Sequence, residues 1–253
     1  MKKVSIILTT YNSEANLKKT LESIEKQDYS EIEVVIKDGG STDTTLQIIE
    51  EYENKSKYCV IWESKRDVGI YDAMNQGYAL STGEIILFFN DVFTNKNVVS
   101  KMVAILEKTN SKAEKEYVGA HADLVYTEGD RIIRKWQMGE GKIWQGWMPG
   151  HPTLFLKREI YEKYGLYRID LKISADYEFM IRFLKDSENQ LAYLPEVIIS
   201  MFYGGTSSNG LSSYLISLKE AQVALKSNKI RGAWFVHGMR IFRVLMQFVR
   251  AKF

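Results

Sequence analysis

Two short stretches decide the fold, VSIILTTYN at residues 4–12 and EVVIKDGGSTD at residues 33–43. Each begins with a run of β-branched and other apolar residues, which is typical of a strand buried on both faces of a parallel sheet. Between the two runs, Leu17, Leu21 and Ile24 recur at the spacing of a helix face. The order strand, helix, strand predicts two parallel strands whose polar ends lie side by side.

The same alternation continues to about residue 95. A helix is predicted after residue 43, strands at Cys59–Glu63 and Glu84–Phe89, and a helix between them around residues 70–78. In a parallel sheet with helices on both faces, ligands bind outside the carboxyl ends of the strands. Four polar loops, one after each strand, are therefore expected to converge on one edge of the sheet.

The second half of the chain has a mixed pattern. Its predicted elements are, in order, helix Asn97–Lys108, strands Val118–Thr127 and Arg131–Trp136, strand Thr153–Lys157, helix Arg158–Tyr164, helix Ala175–Lys185 and strand Val197–Tyr203. The first two of these strands are expected to pair antiparallel. The last forty residues are predicted to be helical throughout.

Composition places the chain among ordinary soluble globular proteins. Hydrophobic residues make up 45% and charged residues 26% of 253 residues, and the formal net charge is only +2, so binding of nucleic acid through bulk charge is not expected. The lone cysteine, Cys59, cannot form an intrachain disulfide and is expected to pack in a strand, which favours a reducing, cytoplasmic location. Neither a secretory signal nor an apolar run of about 18 residues is apparent, so no membrane span is expected.

Asp38 follows the second strand and precedes two glycines. A carboxylate there would stand at the sheet edge, where it could accept hydrogen bonds from a base or a ribose. A turn that leads into a helix capped by Ser41 or Asp43 is the alternative. Tyr11, at the end of the first strand, is equally consistent with stacking on a nucleobase and with packing against the next helix.

Two further strand-end segments have residues suited to a phosphate or metal site. In DVGIYDAMNQG at residues 67–77, a glycine precedes a helix whose first N–H groups could face phosphate, whereas Asp72 would repel phosphate unless it turned away. Asn90 and Asp91 end the fourth strand, where a carboxylate could hold Mg²⁺ or Mn²⁺ together with phosphate oxygens. Asn-Asp is also a common turn dipeptide.

Taken together, these motifs resemble those of glycosyltransferase family 2. The resemblance is carried by TTYN at 9–12, DGGSTDTT at 38–45, DVGIYDAMNQG at 67–77, the acidic end of the fourth strand and SADYEFMIRF at 174–183. The resemblance covers about residues 3–205, and within the family the sequence looks closest to bacterial enzymes that build surface polysaccharides. It implies the GT-A fold, a Rossmann-like mixed α/β sheet with helices on both faces, and a reaction that inverts the anomeric centre.

The resemblance also implies roles for particular residues. Those expected to bind the nucleotide-sugar are Thr10, Tyr11, Asn12, Asp38, Gly39, Asp67, Asn75 and Asn90. Asp91 matches the metal position and Asp176 the catalytic base. Asp176 also lies at the start of a predicted helix, where the dipole favours a carboxylate and where it could point into a cleft. Glu178 is the second candidate base, but two residues apart on a helix point to different faces.

The metal motif departs from the family pattern. Family members usually have an Asp-x-Asp or Ser-Asp-Asp motif there, but this chain has Asp91 as a single carboxylate. His151 is a candidate second ligand, since imidazole suits Mn²⁺, and contact with the acceptor is its alternative role. A divalent cation, Mn²⁺ or Mg²⁺, is the cofactor that the resemblance implies. Trp147, in a Gly- and Pro-rich loop with His151, is expected to form the acceptor wall, and residues 204–208 are predicted to be a lid or a plain turn.

The expected organisation is a GT-A domain at residues 1–205, with a nucleotide-sugar half at about 1–95 and an acceptor half at about 96–205, followed by a helical extension at 206–253. The predicted function is transfer of a sugar from a nucleotide-diphosphate donor, a UDP-sugar, to a hydroxyl of a glycan or lipid-linked acceptor. A non-catalytic nucleotide-sugar binder is one alternative. A sugar-phosphate nucleotidyltransferase is less favoured, because no Lys or Arg follows the first strand before Lys18.

The C-terminal segment 231–253 has five basic residues and no acidic one. A helix with basic and apolar faces is typical of a helix that lies on an anionic membrane. Packing on the domain or on a second subunit in a homodimer is the competing interpretation. The location expected is therefore cytoplasmic, with a peripheral place on the cytoplasmic membrane face as one option.

Overall fold

A computed structural model describes residues 1–110, 115–129, 131–202 and 210–250, without the side chains of 109, 110, 115, 210–212 and 244–250. The helices are α1 (Glu14–Glu25), α2 (Thr45–Glu53), α3 (Ile70–Leu80), α4 (Val98–Leu106), α5 (Arg158–Tyr164), α6 (Ala175–Leu184), α7 (Gly210–Ser227) and α8 (Ala233–Arg250). The strands are β1 (Val4–Thr10), β2 (Ile32–Asp38), β3 (Cys59–Ser64), β4 (Ile85–Phe88), β5 (Val92–Phe93), β6 (Thr109–Asn110), β7 (Lys115–Glu116), β8 (Gly119–Glu128), β9 (Arg131–Trp136), β10 (Phe155–Lys157) and β11 (Leu191–Phe202). Short 3-10 helices lie at Ile143–Gln145 and His151–Thr153.

The main sheet of the described residues is mixed, as expected. Its order is β3-β2-β1-β4-β10-β8-β11-β5, and β9 pairs with β8 outside this row. Strands β1 to β4 are parallel, and Thr10 lies opposite Asp38 in the register of β1 and β2. Strand β10 is antiparallel to both β4 and β8, and β8 and β9 form the predicted antiparallel pair. The parallel half and the mixed half are therefore joined through β10.

Each face of the sheet has its own layer of helices. Alternate residues of β1, such as Ile6 and Leu8, pack in a core with α1, α2 and α4, whereas Ile7 faces the core formed with α3, α5 and α6. Helix α3 approaches β1 closely, because a Cβ on Gly77 would lie 2.6 Å from Ile7 Cγ2. The α/β architecture with helices on both faces is confirmed.

The buried carboxylate of Glu33 ties the parallel strands together. It accepts hydrogen bonds from the Ser5 hydroxyl on β1 and from the backbone N–H groups of Thr82 and Gly83, which lead into β4. Burial alone would raise its pKa, but hydrogen bonds from Ser5, Thr82 and Lys3 outweigh burial and lower the pKa to about 2. Glu33 therefore holds together three neighbouring strands below the site described next.

The helical extension packs on the domain. A third core cluster joins α6 to α7, α8 and the 3-10 helix at Ile143–Gln145, with Tyr177, Ile181, Leu225 and Val236 among its members. No helix in the described ranges is long and apolar enough to cross a membrane. The predicted domain boundary at 205/206 and the predicted lid at 204–208 lie outside the described residues.

Three predictions about elements differ from the structure. Strand β11 starts at Leu191 rather than Val197, because a shift of register between Leu194 and Val197 carries the strand past Pro195. The C-terminal run is two helices, interrupted where Gly232 has φ +69°. Cys59 is exposed, because β3 is the edge strand of the sheet.

Candidate active site

One large cavity of about 1410 Å³ opens at the carboxyl ends of β1 and β4 and at the start of α6. Nine of the predicted site residues line it: Thr10, Tyr11, Asn12, Asp67, Asn90, Asp91, Trp147, His151 and Asp176. Three others, Asp38, Gly39 and Asn75, do not. The strand-end loops therefore converge as the sequence predicts, although three of the predicted residues do not line the cavity.

The loops after β1 and β2 are bound to each other at one end of the cavity. Asn12 has φ +46°, and its side-chain oxygen accepts a hydrogen bond from Thr42 N–H at 2.9 Å. Its own backbone N–H donates to the Ser41 hydroxyl at 2.8 Å. Tyr11 precedes this contact and is 64% exposed, so its ring is free to stack on a flat ligand.

Asp38 lies beneath these loops instead of facing the cavity. One carboxylate oxygen accepts from the Thr10 and Ser41 hydroxyls, and the other accepts from the Ser64 hydroxyl and the N–H groups of Gly40 and Ser41. Burial would raise its pKa, but these hydrogen bonds lower it. The prediction of an open carboxylate is therefore not met, since Asp38 is fully buried and joins the ends of β1, β2 and β3.

Gly39 lies against the side chain of Asp67, which lines the cavity. A Cβ on Gly39 would lie 2.6 Å from Asp67 Oδ2, so a larger residue would displace that carboxylate. Asp67 Oδ1 accepts from Gly69 N–H at 2.9 Å, just before α3 begins. Asp72 turns away from the cavity, because its Oδ2 accepts from Val68 N–H and from the Gln76 side chain.

Two predicted contact residues act as structural anchors. Asn75 exchanges two hydrogen bonds with the backbone of Tyr167, at 2.9 and 3.0 Å, so its amide joins α3 to the segment before α6 and is not available to a donor sugar. Trp147 is only 6% exposed, and its indole N–H donates to the carbonyls of Met138 and Gly139. Stacking of a sugar on Trp147 is therefore not supported, although its edge borders the cavity.

Asp91 is an isolated, buried carboxyl on the cavity wall. It is 8% exposed, and burial raises its pKa to about 7, against the opposing effect of the Phe202 N–H. Within the described part of the chain, no group of three or more His, Cys, Asp or Glu side chains is placed to hold a metal ion. Asp91 could hold a divalent cation only together with oxygen ligands from a bound diphosphate.

His151 is held in place by aromatic neighbours. Its Nε2 lies 2.8 Å from the Tyr167 hydroxyl, and its ring stacks on Phe88 with centroids 5.9 Å apart. Burial lowers the pKa of His151, and the charge of Asp176 partly opposes that effect. The imidazole is therefore neutral near pH 7, which suits either a hydrogen bond to an acceptor or a metal ligand.

Asp176 lies in the first turn of α6 and faces the cavity. Its Oδ1 is 3.0 Å from the hydroxyl of Tyr71, which also donates to Ile173 O at 2.6 Å. Glu178 points elsewhere, because its carboxylate pairs with Arg182 at 2.6 Å and accepts from Asn228. The structure therefore places Asp176, and not Glu178, where it could accept a proton from a ligand in the cavity.

Sequence reasoning missed several residues of this site. Tyr71 lies in the DVGIYDAMNQG motif without a predicted role, and Arg240 and Arg243 belong to the basic C-terminal segment, yet all three residues line the cavity. No local signal could have revealed this, because it depends on how α8 packs against residues about a hundred positions earlier in the chain.

Comparisons with known proteins agree with this geometry. The model of the family described as Glycosyl transferase family 2 matches residues 5–169. The PGL/p-HBAD biosynthesis glycosyltransferase of Mycobacterium bovis is 30% identical over 215 residues, which cover 81% of this chain and 78% of that protein.

Solved structures share the fold. Staphylococcus aureus TarS 1-349 in complex with UDP-GlcNAc matches with a TM-score of 0.73 and 20% identity over 98% of this chain and 79% of that one. The mannosyltransferase PcManGT of Pyrobaculum calidifontis, in complex with GDP-Man and Mn²⁺, matches with a TM-score of 0.68 and 16% identity over 99% and 73% of the two chains. With the family match over most of its sheet, the chain is a glycosyltransferase and belongs to glycosyl transferase family 2.

Proposed function

We propose that the cavity binds a nucleotide-diphosphate sugar at its Tyr11 end and transfers the sugar, with inversion, to an acceptor hydroxyl at its Asp176 end. The observation that carries the proposal is the position of Asp176, the carboxylate at the start of α6 that faces the same cavity as the loops after β1 and β4. Glu178, the alternative base, is occupied by Arg182 and Asn228.

The reaction is a single displacement. Asp176 takes the proton of the acceptor hydroxyl while that oxygen attacks C1 of the sugar. The bond from C1 to the diphosphate breaks on the opposite face, and the nucleoside diphosphate leaves with the bonding electron pair. One attack from the face opposite the leaving group inverts the configuration at C1.

The donor end is supported by the loops around Tyr11. The exposed ring of Tyr11 offers a stacking surface for a base, and the Asn12–Thr42 contact, with Asp38 beneath, fixes the loops that would surround it. A UDP-sugar is the donor we favour, in line with the UDP-GlcNAc complex of TarS, while PcManGT shows that the same fold also takes GDP-Man. For the acceptor we propose a hydroxyl of a glycan or lipid-linked molecule in bacterial surface-glycan synthesis.

A divalent cation fits this site only as a partner of the donor. Asp91 would hold it, with His151 on the same cavity as the candidate imidazole ligand, and the ion would stabilise negative charge on the departing diphosphate. The Mn²⁺ in the PcManGT complex supports a cation in this fold. Dependence on the cation is therefore part of the proposal.

A panel of nucleotide-sugars tests the proposal, each with and without Mn²⁺, read by thermal stabilisation and by release of nucleoside diphosphate. One donor is expected to stabilise the protein most and to release its diphosphate faster with Mn²⁺. Binding without any release of diphosphate would favour the alternative of a non-catalytic nucleotide-sugar binder. Failure of every nucleotide to stabilise the protein would contradict the proposal itself.

A further inference from the structure

The wall of the cavity near Asp176 is built partly by α8, which lies outside the residues matched to the family. The sequence after Glu220 contains no acidic residue, so this helix brings positive charge without its own counter-charge. Two of its arginines, Arg240 and Arg243, line the cavity and are only partly exposed.

Both arginines are fixed by contacts with the rest of the site. The Arg240 guanidinium lies over the ring of Tyr177 at 4.2 Å from the centroid, and Tyr177 directly follows Asp176. Arg243 Nε donates to Gln145 O at 3.0 Å. Between these two contacts, the backbone of α8 packs closely against Gly146, where an added Cβ would lie 2.4 Å from Arg240 N.

The part of the chain that the structure describes offers these two arginines no carboxylate partner. In the described ranges, neither guanidinium has a carboxylate within ion-pair distance, and Arg240 makes no hydrogen bond. The carboxylates that share the cavity are Asp67, Asp91 and Asp176, and none pairs with either arginine. A guanidinium that is partly withdrawn from water and lacks a counter-charge favours the binding of an anion.

We propose that Arg240 and Arg243 bind a phosphate or phosphodiester group of the acceptor, close to the hydroxyl that Asp176 deprotonates. The assignment rests on the proposed function. It places the anion at the Asp176 end, because Arg240 stacks on the residue that follows Asp176, whereas the loops that border the donor lie at the ends of β1 and β4. Guanidinium groups suit this ligand, since their fork of N–H donors matches phosphate oxygens.

The diphosphate of the donor could bind the same two arginines, so the test has to separate a phosphate of the acceptor from the diphosphate of the donor. The enzyme is first saturated with the nucleoside diphosphate that stabilises it most, and inorganic phosphate is then titrated and followed by thermal shift and calorimetry. Wild type is expected to bind phosphate under these conditions. The double variant Arg240→Gln, Arg243→Gln is expected to bind it about tenfold more weakly or worse, and to bind the nucleotide as wild type does.

Arg231→Gln is the matched control, because Arg231 is exposed and does not line the cavity. Arg240→Lys keeps the charge and is expected to retain part of the phosphate affinity, which guards against a double variant that fails to fold. Equal phosphate binding by wild type and the double variant, or none by the saturated wild type, would overturn the inference. Loss of nucleotide affinity in the double variant would assign the arginines to the donor and overturn it too.

If the proposed function is wrong, the result differs from a failure of the inference about the arginines. In that case wild type binds no nucleotide at all, and phosphate titration without nucleotide still reports whether the two arginines hold an anion.

Discussion

At the scale of single residues, the structure separates groups that face the cavity from groups that hold it together. Residue type and position after a strand predicted polar groups at this edge, and for Tyr11 and Asn90 that was enough to place them on the cavity. It was not enough for Asp38 or Asn75. Whether a carboxylate or amide meets a ligand or a backbone group depends on loops that fold over it from elsewhere in the chain.

We expect Tyr71 to position Asp176, because its hydroxyl lies 3.0 Å from Asp176 Oδ1. Burial and the neighbouring Asp176 charge raise the pKa of Tyr71, so its hydroxyl stays protonated and is shared between Asp176 and Ile173 O. Tyr71→Phe is expected to lower kcat about tenfold, which corresponds to about 1.4 kcal/mol, and to leave the KM for the donor unchanged.

The matched control for Tyr71 is Tyr78→Phe, on the same helix but packed against Tyr161 and Arg158 away from the cavity. Steady-state kinetics with both variants, alongside their melting temperatures, separate positioning from a loss of stability. An unchanged kcat in Tyr71→Phe, or an equal fall in both variants, would refute the role.

At the scale of elements, the alternation of strands and helices in the first half was predictable because parallel strands buried on both faces are continuous apolar runs. The start of β11 was not, since Pro195 interrupts the pattern and only the irregular pairing with β8 shows that the strand continues. The packing of α8 could not be predicted from the sequence either. An amphipathic pattern shows that one face is covered, but it does not show what covers it.

The Glu33 carboxylate makes the parallel strands sensitive to acid. Its pKa is lowered to about 2 in the folded protein, below its ordinary value of 4.5, so its contribution to stability is complete above about pH 4.5 and is lost as the pH falls towards 2. Glu33→Gln is expected to lower the free energy of unfolding at pH 7 by about 1–3 kcal/mol, because its amide nitrogen would face backbone N–H donors.

Urea unfolding of Glu33→Gln from pH 7 to pH 3 measures this effect. Glu31→Gln is the control, because Glu31 lies two residues earlier at the surface. The difference between wild type and Glu33→Gln should shrink as the pH falls. A difference that stays constant with pH would show that Glu33 is not the carboxylate responsible.

At the scale of the whole molecule, the site forms where three parts of the chain meet. The parallel half brings the loops after β1 and β4, the mixed half brings α6 with Asp176, and the extension closes one side with α8. The family match ends at residue 169, before Asp176 and before both α7 and α8. The loops proposed to bind the donor therefore lie within the residues that match the family, whereas Asp176 and α8 lie beyond them.

The most direct test of the account is the rate of nucleoside diphosphate release from the best donor by Asp176→Asn, measured with the dissociation constant for that donor. Asp170→Asn is the control, since Asp170 is exposed and pairs with Arg168 outside the cavity. We expect Asp176→Asn to bind the donor within about twofold of wild type and to release diphosphate about 10²–10⁴ times more slowly, while the control behaves as wild type. Release by Asp176→Asn within about threefold of the wild-type rate would contradict the assignment of Asp176 as the base.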